Sequence, residues 1–312
     1  MSGFPLMIKQ SRPFLDQDQI DYLRAQSNVR GPVYSSMAQE AFQLIMAVGK
    51  AHRFPVRTMT MGMLLFHRTY LYNDPVNLQP MLVAMACLFV ASKTEDTPRR
   101  AREIISTWFA LKNPQNTSTS SIEAYRVKIL GLERQILETV GFDFRVRHPH
   151  KYVVKMGKLL GASQEVCRLA WTIATDAYLT DAPLKLPSHV IAFASIILAA
   201  KLRDPSLFPL DSKKMLIPRY HADLALLDLL DFYIHYLGSS LLGREINEVT
   251  TFMTIRIGIN KELQTLREKR NEQSDSTKFE GLMIRDPRLS DRGTVRYILD
   301  WEREHVEGEL VV

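Results

Sequence analysis

Cysteine is scarce: Cys87 and Cys167 are the only two in the chain. Two thiols cannot build a zinc ribbon or a disulfide framework, which excludes the small stapled folds. Both lie inside apolar helical patterns and are expected as small buried hydrophobes in a reducing compartment. Phosphate-cradling glycine loops, a kinase catalytic loop and a zinc-peptidase helix motif are also missing. No catalytic residue, metal or cofactor is therefore expected. No apolar run approaches the ~20 residues that span a bilayer. The first residues, MSGFPLMIKQSRPF, lack the apolar core of a secretory signal. The expectation is a soluble, intracellular chain with no membrane contact. Strand-like alternation is missing as well, which points to an all-α chain.

The material present is that of a globular protein. Apolar residues make up 46% and charged residues 24%, enough to bury a sizeable core. At 312 residues there is room for one large domain or two ordinary ones. The net charge of +6 and pI near 9.2 fit an acidic partner or nucleic acid, and fit a solvated basic surface equally well.

The longest apolar run covers eleven residues, Met81 to Ala91, and stops abruptly at Ser92, Lys93, Thr94, Glu95 and Asp96. It is too long for an ordinary strand, and Ala, Leu and Met favour helix. A helix apolar on every side is a central helix surrounded by others. Pro80 suits its first turn, and Pro98 closes it. Lys93, Glu95 and Asp96 are then its exposed tip. A purely polar stop and a functional tip are both open at this point.

The run occurs twice. Residues 78–96 overlie residues 186–204 at a shift of 108 without a gap. Leu78, Ala84, Ala86, Ala91, Lys93 and Asp96 meet Leu186, Ala192, Ala194, Ala199, Lys201 and Asp204. Upstream, Tyr70, Leu71 and Pro75 meet Tyr178, Leu179 and Pro183. A period this long predicts two related domains in tandem rather than a solenoid.

The rest of each unit also reads as helix. Ser36 and Gln39 make a capping-box pattern ahead of AFQLIMAVGKAHRF. VRTMTMGMLLFHRTYLY is amphipathic, AREIISTWFAL follows Pro98, and NPQNTSTSS is a polar loop. In IEAYRVKILGLERQILETVGFDFRV, Tyr125, Ile129, Leu132, Ile136 and Val140 share one face and Gly141 is a natural stop. The second unit offers HKYVVKMGKLL, SQEVCRLAWTIATDAYL, SHVIAFASIILAAKL, a short helix near DSKKML, and ALLDLLDFYIHYLG.

Two five-helix units, each built round a buried helix, resemble the two cyclin boxes of a cyclin. The resemblance covers roughly residues 30 to 242 and is carried by LLFHRTYL, LFVASKTED, LERQILETVGFDF and RHPHKYVV. The implied division is an N-terminal segment 1–30, a first box 31–147, a second box 148–242 and a C-terminal extension 243–312. In cyclins a lysine ending the central helix pairs with a glutamate of the fifth helix on the face that grips the kinase. These positions match Lys93 and Glu133. The same resemblance places Leu137, Phe142 and Phe144 on that face. For these residues core packing is the alternative, with equal weight for Leu137. Where the family pattern allows a larger apolar residue after the lysine, this chain has Thr94.

The helix SSMAQEAFQLIMAVGK lacks the arginine and tryptophan with which cell-cycle cyclins dock substrates. The HPHKYV link and the second-box sequence instead resemble transcriptional cyclins, most of all the fungal cyclin-type beta subunits of the RNA polymerase II C-terminal-domain (CTD) kinase. That resemblance implies a cyclin-dependent kinase as partner, polymerase heptad repeats as the complex's substrate, a possible third subunit, a nuclear location and no direct nucleic-acid binding. Arg99, Arg100 and Arg102, beside the Lys93 tip, read either as a contact for an acidic or phosphorylated partner or as a solvated helix start. His148 and His150 flank a proline and read as linker residues. Beyond residue 242, a long helix in EINEVTTFMTIRIGINKELQTLREKR, a loop, and a short amphipathic helix in VRYILDWEREHV are expected. Transcription factor IIB also contains two cyclin-type repeats and binds DNA. The basic charge fits it, but no cysteine-rich ribbon is present. A kinase-free scaffold is the third possibility.

Overall fold

The computed structural model describes residues 14–29, 31–112, 119–144, 146–204, 215, 217–246 and 248–273, with backbone alone at Pro32 and 265–273. Among these residues all regular structure is helical, as the sequence predicts. The chain divides into two compact units. The first runs to His148 and includes Pro183–Lys185; the second takes Pro149–Ala182 and continues from Leu186.

The first unit contains α1 (Gln17–Gln26), α2 (Gly31–Ala51), α3 (Val56–Thr69), α4 (Pro80–Thr94), α5 (Ala101–Lys112) and α6 (Thr119–Thr139). Helix α4 is the apolar run. Every residue from Leu82 to Ser92 is buried, and the helix packs against α2, α3, α5 and α6. Small residues set the spacing. A Cβ on Gly62 of α3 would lie 3.4 Å from the Leu88 Cα, so the two backbones meet closely there.

Two local expectations change. Helix α2 begins at Gly31, and Ser36 is an exposed residue inside it rather than its cap. Tertiary contact holds the extra turn: the Tyr34 hydroxyl lies 2.6 Å from His67 Nδ1, and the Arg24 guanidinium sits 3.9 Å from the Tyr34 ring centroid. Helix α1 has a capping box, with Asp16 accepting from the Gln19 N–H at 2.7 Å and Gln19 accepting from the Asp16 N–H at 3.3 Å. Only Ile20 and Arg24 of that helix are buried, so its apolar periodicity is too weak to read from sequence.

The second unit contains α7 (His150–Leu159), α8 (Gln164–Asp176), α10 (Ser188–Arg203), α11 (Arg219–Tyr236) and α12 (Val249–Gln273), while the short α9 (Ala182–Lys185) between α8 and α10 falls to the first unit from Pro183 on. Helix α10 is its buried centre, packed against α7, α8 and α11. The long C-terminal helix α12 joins this core. Phe252 and Ile259 are buried, the Phe252 ring meets Tyr233 at 5.0 Å, and Arg256 pairs with Asp231. Arg219 binds both Asp223, at 2.9 Å, and Glu262 of α12, at 2.8 Å. Except for Met215, the short helix expected near DSKKML lies outside the described residues, as does the amphipathic helix expected in VRYILDWEREHV. No described helix is long and apolar enough to cross a membrane. Cys87 is fully buried, whereas Cys167 is half-buried, because its sulfur fills the space over Gly157 and its helix lies at the surface there.

Buried polar groups brace the second unit. Asp176, 1% exposed, accepts from the Leu241 and Leu242 N–H groups at 2.9 Å each and from the Tyr233 hydroxyl at 3.1 Å. Burial nevertheless pushes its carboxyl up to about 6. His221 is also buried, and desolvation, followed by the nearby His189, lowers it from 6.5 to about 4. The folded chain thus binds this proton less readily than the unfolded chain. The stabilisation is complete above 6.5 and is lost as pH falls towards 4. His221→Phe should flatten the fall of the unfolding midpoint across that window relative to wild type, as measured by denaturant titration at several pH values.

Candidate functional site

A buried helix must still satisfy its last carbonyls, and α4 does so with a tight turn. Asp96 adopts a left-handed conformation (φ 54°). Its N–H returns to the Lys93 carbonyl at 3.4 Å, and the Thr97 N–H returns to the Ser92 carbonyl at 2.8 Å. This is the Schellman pattern, with aspartate at the position glycine usually takes. The turn presents Lys93 at the rim of the core. Its aliphatic stem and ammonium cross the buried Phe89 ring, with Nζ 4.1 Å from the centroid. From there Nζ donates to Glu133 Oε1 of α6 at 2.6 Å. The Lys93 side chain is 45% exposed and that of Glu133 19%. Sequence reasoning paired these two residues by resemblance, and the structure brings them together. Thr94 fills the position where a larger apolar residue was expected and returns its hydroxyl to the Ala91 carbonyl at 3.2 Å.

The far end of α6 supplies the aromatics. Gly141 (φ 62°) ends the helix in a second Schellman turn, with Gly141 N–H on the Glu138 carbonyl and Phe142 N–H on the Leu137 carbonyl, both at 3.1 Å. Phe142 is itself left-handed (φ 55°) and 54% exposed. A phenylalanine in that region carries backbone strain while more than half of it stays exposed. Asp143 turns inward, and its carbonyl accepts from Arg68 at 3.0 Å. Phe144 is half-buried and meets Phe142 edge-on at 6.5 Å. The two rings flanking Asp143 therefore do form one cluster. Leu137 is half-buried, one turn beyond Glu133, so it is neither wholly core nor wholly surface. Val127 and Leu130, on the same helix, are exposed as well.

Glu95, His148 and Arg57 form a structural tie that the sequence reading missed. The Glu95 carboxylate accepts from His148 Nε2 at 3.0 Å and faces Arg57 Nε at 3.6 Å, while Arg57 also donates to the Glu95 carbonyl at 3.1 Å. The other ring nitrogen of His148 lies 3.1 Å from the Thr60 hydroxyl. His148, read as a linker residue, is thus bonded to the α4 tip. A glutamate two positions from a helix-ending lysine was the only hint in the sequence. Arg99, Arg100 and Arg102 are exposed and form no ion pair among the described residues. No group of acids, histidines or cysteines among those residues has the geometry of a metal site.

Residues 6–145 match the cyclin N-terminal domain. The CTD kinase subunit beta of Schizosaccharomyces pombe is 38% identical over 247 residues, spanning 76% of this chain and 72% of that protein. The chain belongs to the cyclin family. The Saccharomyces cerevisiae CTD kinase subunit beta is 30% identical to this cyclin over 75% of its length and 74% of the relative's. Among solved structures, a chain of the yeast RNA polymerase II CTD kinase CTDK-1 complex superposes with a TM-score of 0.69 at 25% identity, covering 95% of this cyclin and 97% of that chain. The resemblance to transcriptional cyclins read from the sequence is thereby upheld.

The strained aromatic yields a test of the free cyclin. Replacing Phe142 with glycine relieves about 1–2 kcal/mol of left-handed strain. Greater freedom of the unfolded chain offsets roughly 0.5–1 kcal/mol of that. Loss of the covered part of the ring and of its edge-on contact with Phe144, worth about 0.5–1.5 kcal/mol, works the other way. Phe142→Gly should therefore lower stability in equilibrium unfolding by no more than about 2 kcal/mol, less than the roughly 3–5 kcal/mol usual for loss of a core aromatic.

Proposed function

We propose that this cyclin is the regulatory subunit of a kinase complex that phosphorylates the heptad repeats of the RNA polymerase II CTD, and that Lys93, Glu133, Leu137, Phe142 and Phe144 form the surface that docks on the catalytic subunit. One observation carries the docking site: a charge pair held at 2.6 Å at the exposed end of a helix buried from Leu82 to Ser92. The pair joins α4 to α6, and α6 leads to a strained, solvent-facing phenylalanine. The relatives named CTD kinase subunit beta supply the substrate class.

The chain performs no chemistry of its own. It acts by binding more tightly to one conformation of a kinase, that in which the kinase's own lysine–glutamate pair and activation loop are set. A rigid docking surface suits this role, because a ligand shifts a conformational equilibrium only by its difference in affinity for the two states. Buried α4 and the two Schellman turns provide the rigidity. In this reading the complex works in the nucleus during transcription elongation, and a third subunit of the complex is a further partner. Arg99, Arg100 and Arg102 offer guanidinium groups to an acidic or phosphorylated partner.

Stability and binding should separate at the charge pair. Lys93→Ala is expected to cost the free protein only about 0–1 kcal/mol, as for exposed pairs. Its loss from a desolvated interface should cost kinase binding about 2–5 kcal/mol. Tagged protein captured with its kinase should phosphorylate a heptad-repeat substrate, and Glu133→Lys should abolish the signal. Full activity of the isolated kinase without the cyclin would defeat the proposal.

A further inference from the structure

Thr97 is the residue that closes the α4 turn. Its N–H donates to the Ser92 carbonyl at 2.8 Å, and its hydroxyl lies 3.0 Å from Thr58 Oγ1 and 3.4 Å from the Ser92 carbonyl oxygen. Pro98, Arg99 and Arg100 follow before α5 begins at Ala101; all three are exposed, and residues 97–100 are non-helical. Proline keeps the preceding threonine out of helical conformation and has no N–H of its own to satisfy. Thr97 itself is half-buried, so its hydroxyl must turn outward to be modified. A hydroxyl followed by proline and then by arginines, on a non-helical segment, is the substrate pattern of a proline-directed serine/threonine kinase. The arginines leave their guanidinium groups free of any ion pair among the described residues. Arg99 and Arg100 follow Thr97 by two and three positions in the chain.

We propose that Thr97 is a phosphoacceptor for a proline-directed serine/threonine kinase, and that its phosphate, taken up by the neighbouring arginines, weakens docking at the Lys93 tip. The regulatory half rests on the docking reading above. In the transfer, a bond forms between Thr97 Oγ1 and the γ-phosphorus of a nucleoside triphosphate as the bond from that phosphorus to the β,γ-bridging oxygen breaks. Nucleoside diphosphate leaves, and the hydroxyl proton passes to the kinase's base and on to solvent.

The consequences follow from the contacts. An esterified Oγ1 has no proton to donate, so the bond to the Ser92 carbonyl is lost, and Thr58 can only donate to the ester oxygen. A charge of about −1.5 to −2 arrives beside Glu95 and Asp96. Glu95 already draws on Arg57 and His148, and the phosphate competes for Arg57. Arg99 and Arg100, two and three residues away, offer strong charge-assisted bonds that pull the segment outward. The turn that loosens is the one whose other carbonyl belongs to Lys93.

The test treats the full chain with a purified proline-directed kinase and ATP, maps phosphate by peptide mass spectrometry, and titrates modified and unmodified protein against the CTD-kinase catalytic subunit. Phosphate at Thr97 with binding weakened at least roughly tenfold is the expected result. Thr97→Val should take up none. Pro98→Ala keeps the hydroxyl and its turn, so it should bind as wild type while losing most of its labelling. Absence of phosphate at Thr97 when a control peptide is labelled, or unchanged affinity of the phosphorylated chain, would overturn the proposal. An unmodified chain that binds no catalytic subunit would overturn the docking reading and with it the regulatory half; the mapping decides the acceptor half separately.

Discussion

The burial of α4 on every side is the constraint on which the first unit depends. Eleven consecutive buried residues leave no face on which to place a polar side chain. All polar chemistry is thereby pushed to the ends of the helix, where the unpaired carbonyls also have to be satisfied. The Schellman turn at Lys93 to Thr97 does both. It closes the carbonyls with backbone N–H groups and fixes the direction in which the lysine leaves the core. The geometry of the tip is therefore a consequence of core packing, and not an independent surface feature.

The polar groups round that tip are held unequally. Glu95 is the more firmly anchored, with histidine, arginine and backbone partners, and it serves the local structure. Lys93 has one acid and one aromatic face, and nearly half of its side chain remains in water. A pair exposed to that extent adds little to folding. Under the proposed docking, removal of water would make the same contacts count for more. Phe142 likewise keeps a strained backbone and a largely exposed ring, with its edge-on contact to Phe144 as the return in the free protein.

The two repeats show how similar sequences diverge in role. Lys201 and Asp204 of α10 align with Lys93 and Asp96 of α4, yet Asp204 is not left-handed (φ −144°), and its N–H bonds the Ala200 carbonyl instead. Lys201 lies in the field of buried Asp223, within the second unit. Among the described residues neither unit's regular structure departs from helix, so the difference shows in one dihedral and in the acid near each lysine. That difference sets the tip of α4 apart from that of α10.

By itself the sequence determined the helical class, both central helices, the repeat, the end of α6 at Gly141 and the Lys93–Glu133 pairing. These rest on long apolar runs, on helix-breaking residues and on a family pattern, all of which are local or periodic signals. Tertiary structure decided the rest. Helix α1 and the first turn of α2 depend on contacts among Arg24, Tyr34 and His67, which are far apart in sequence. The tie of Glu95 to His148 spans 53 positions, and α12 joins the second core through side chains rather than through any repeated motif. The left-handed states of Asp96 and Phe142 were also invisible, because no residue there is glycine. A non-glycine residue stays in that conformation only when the packing around it holds the backbone in place, and packing is a property of the folded chain alone.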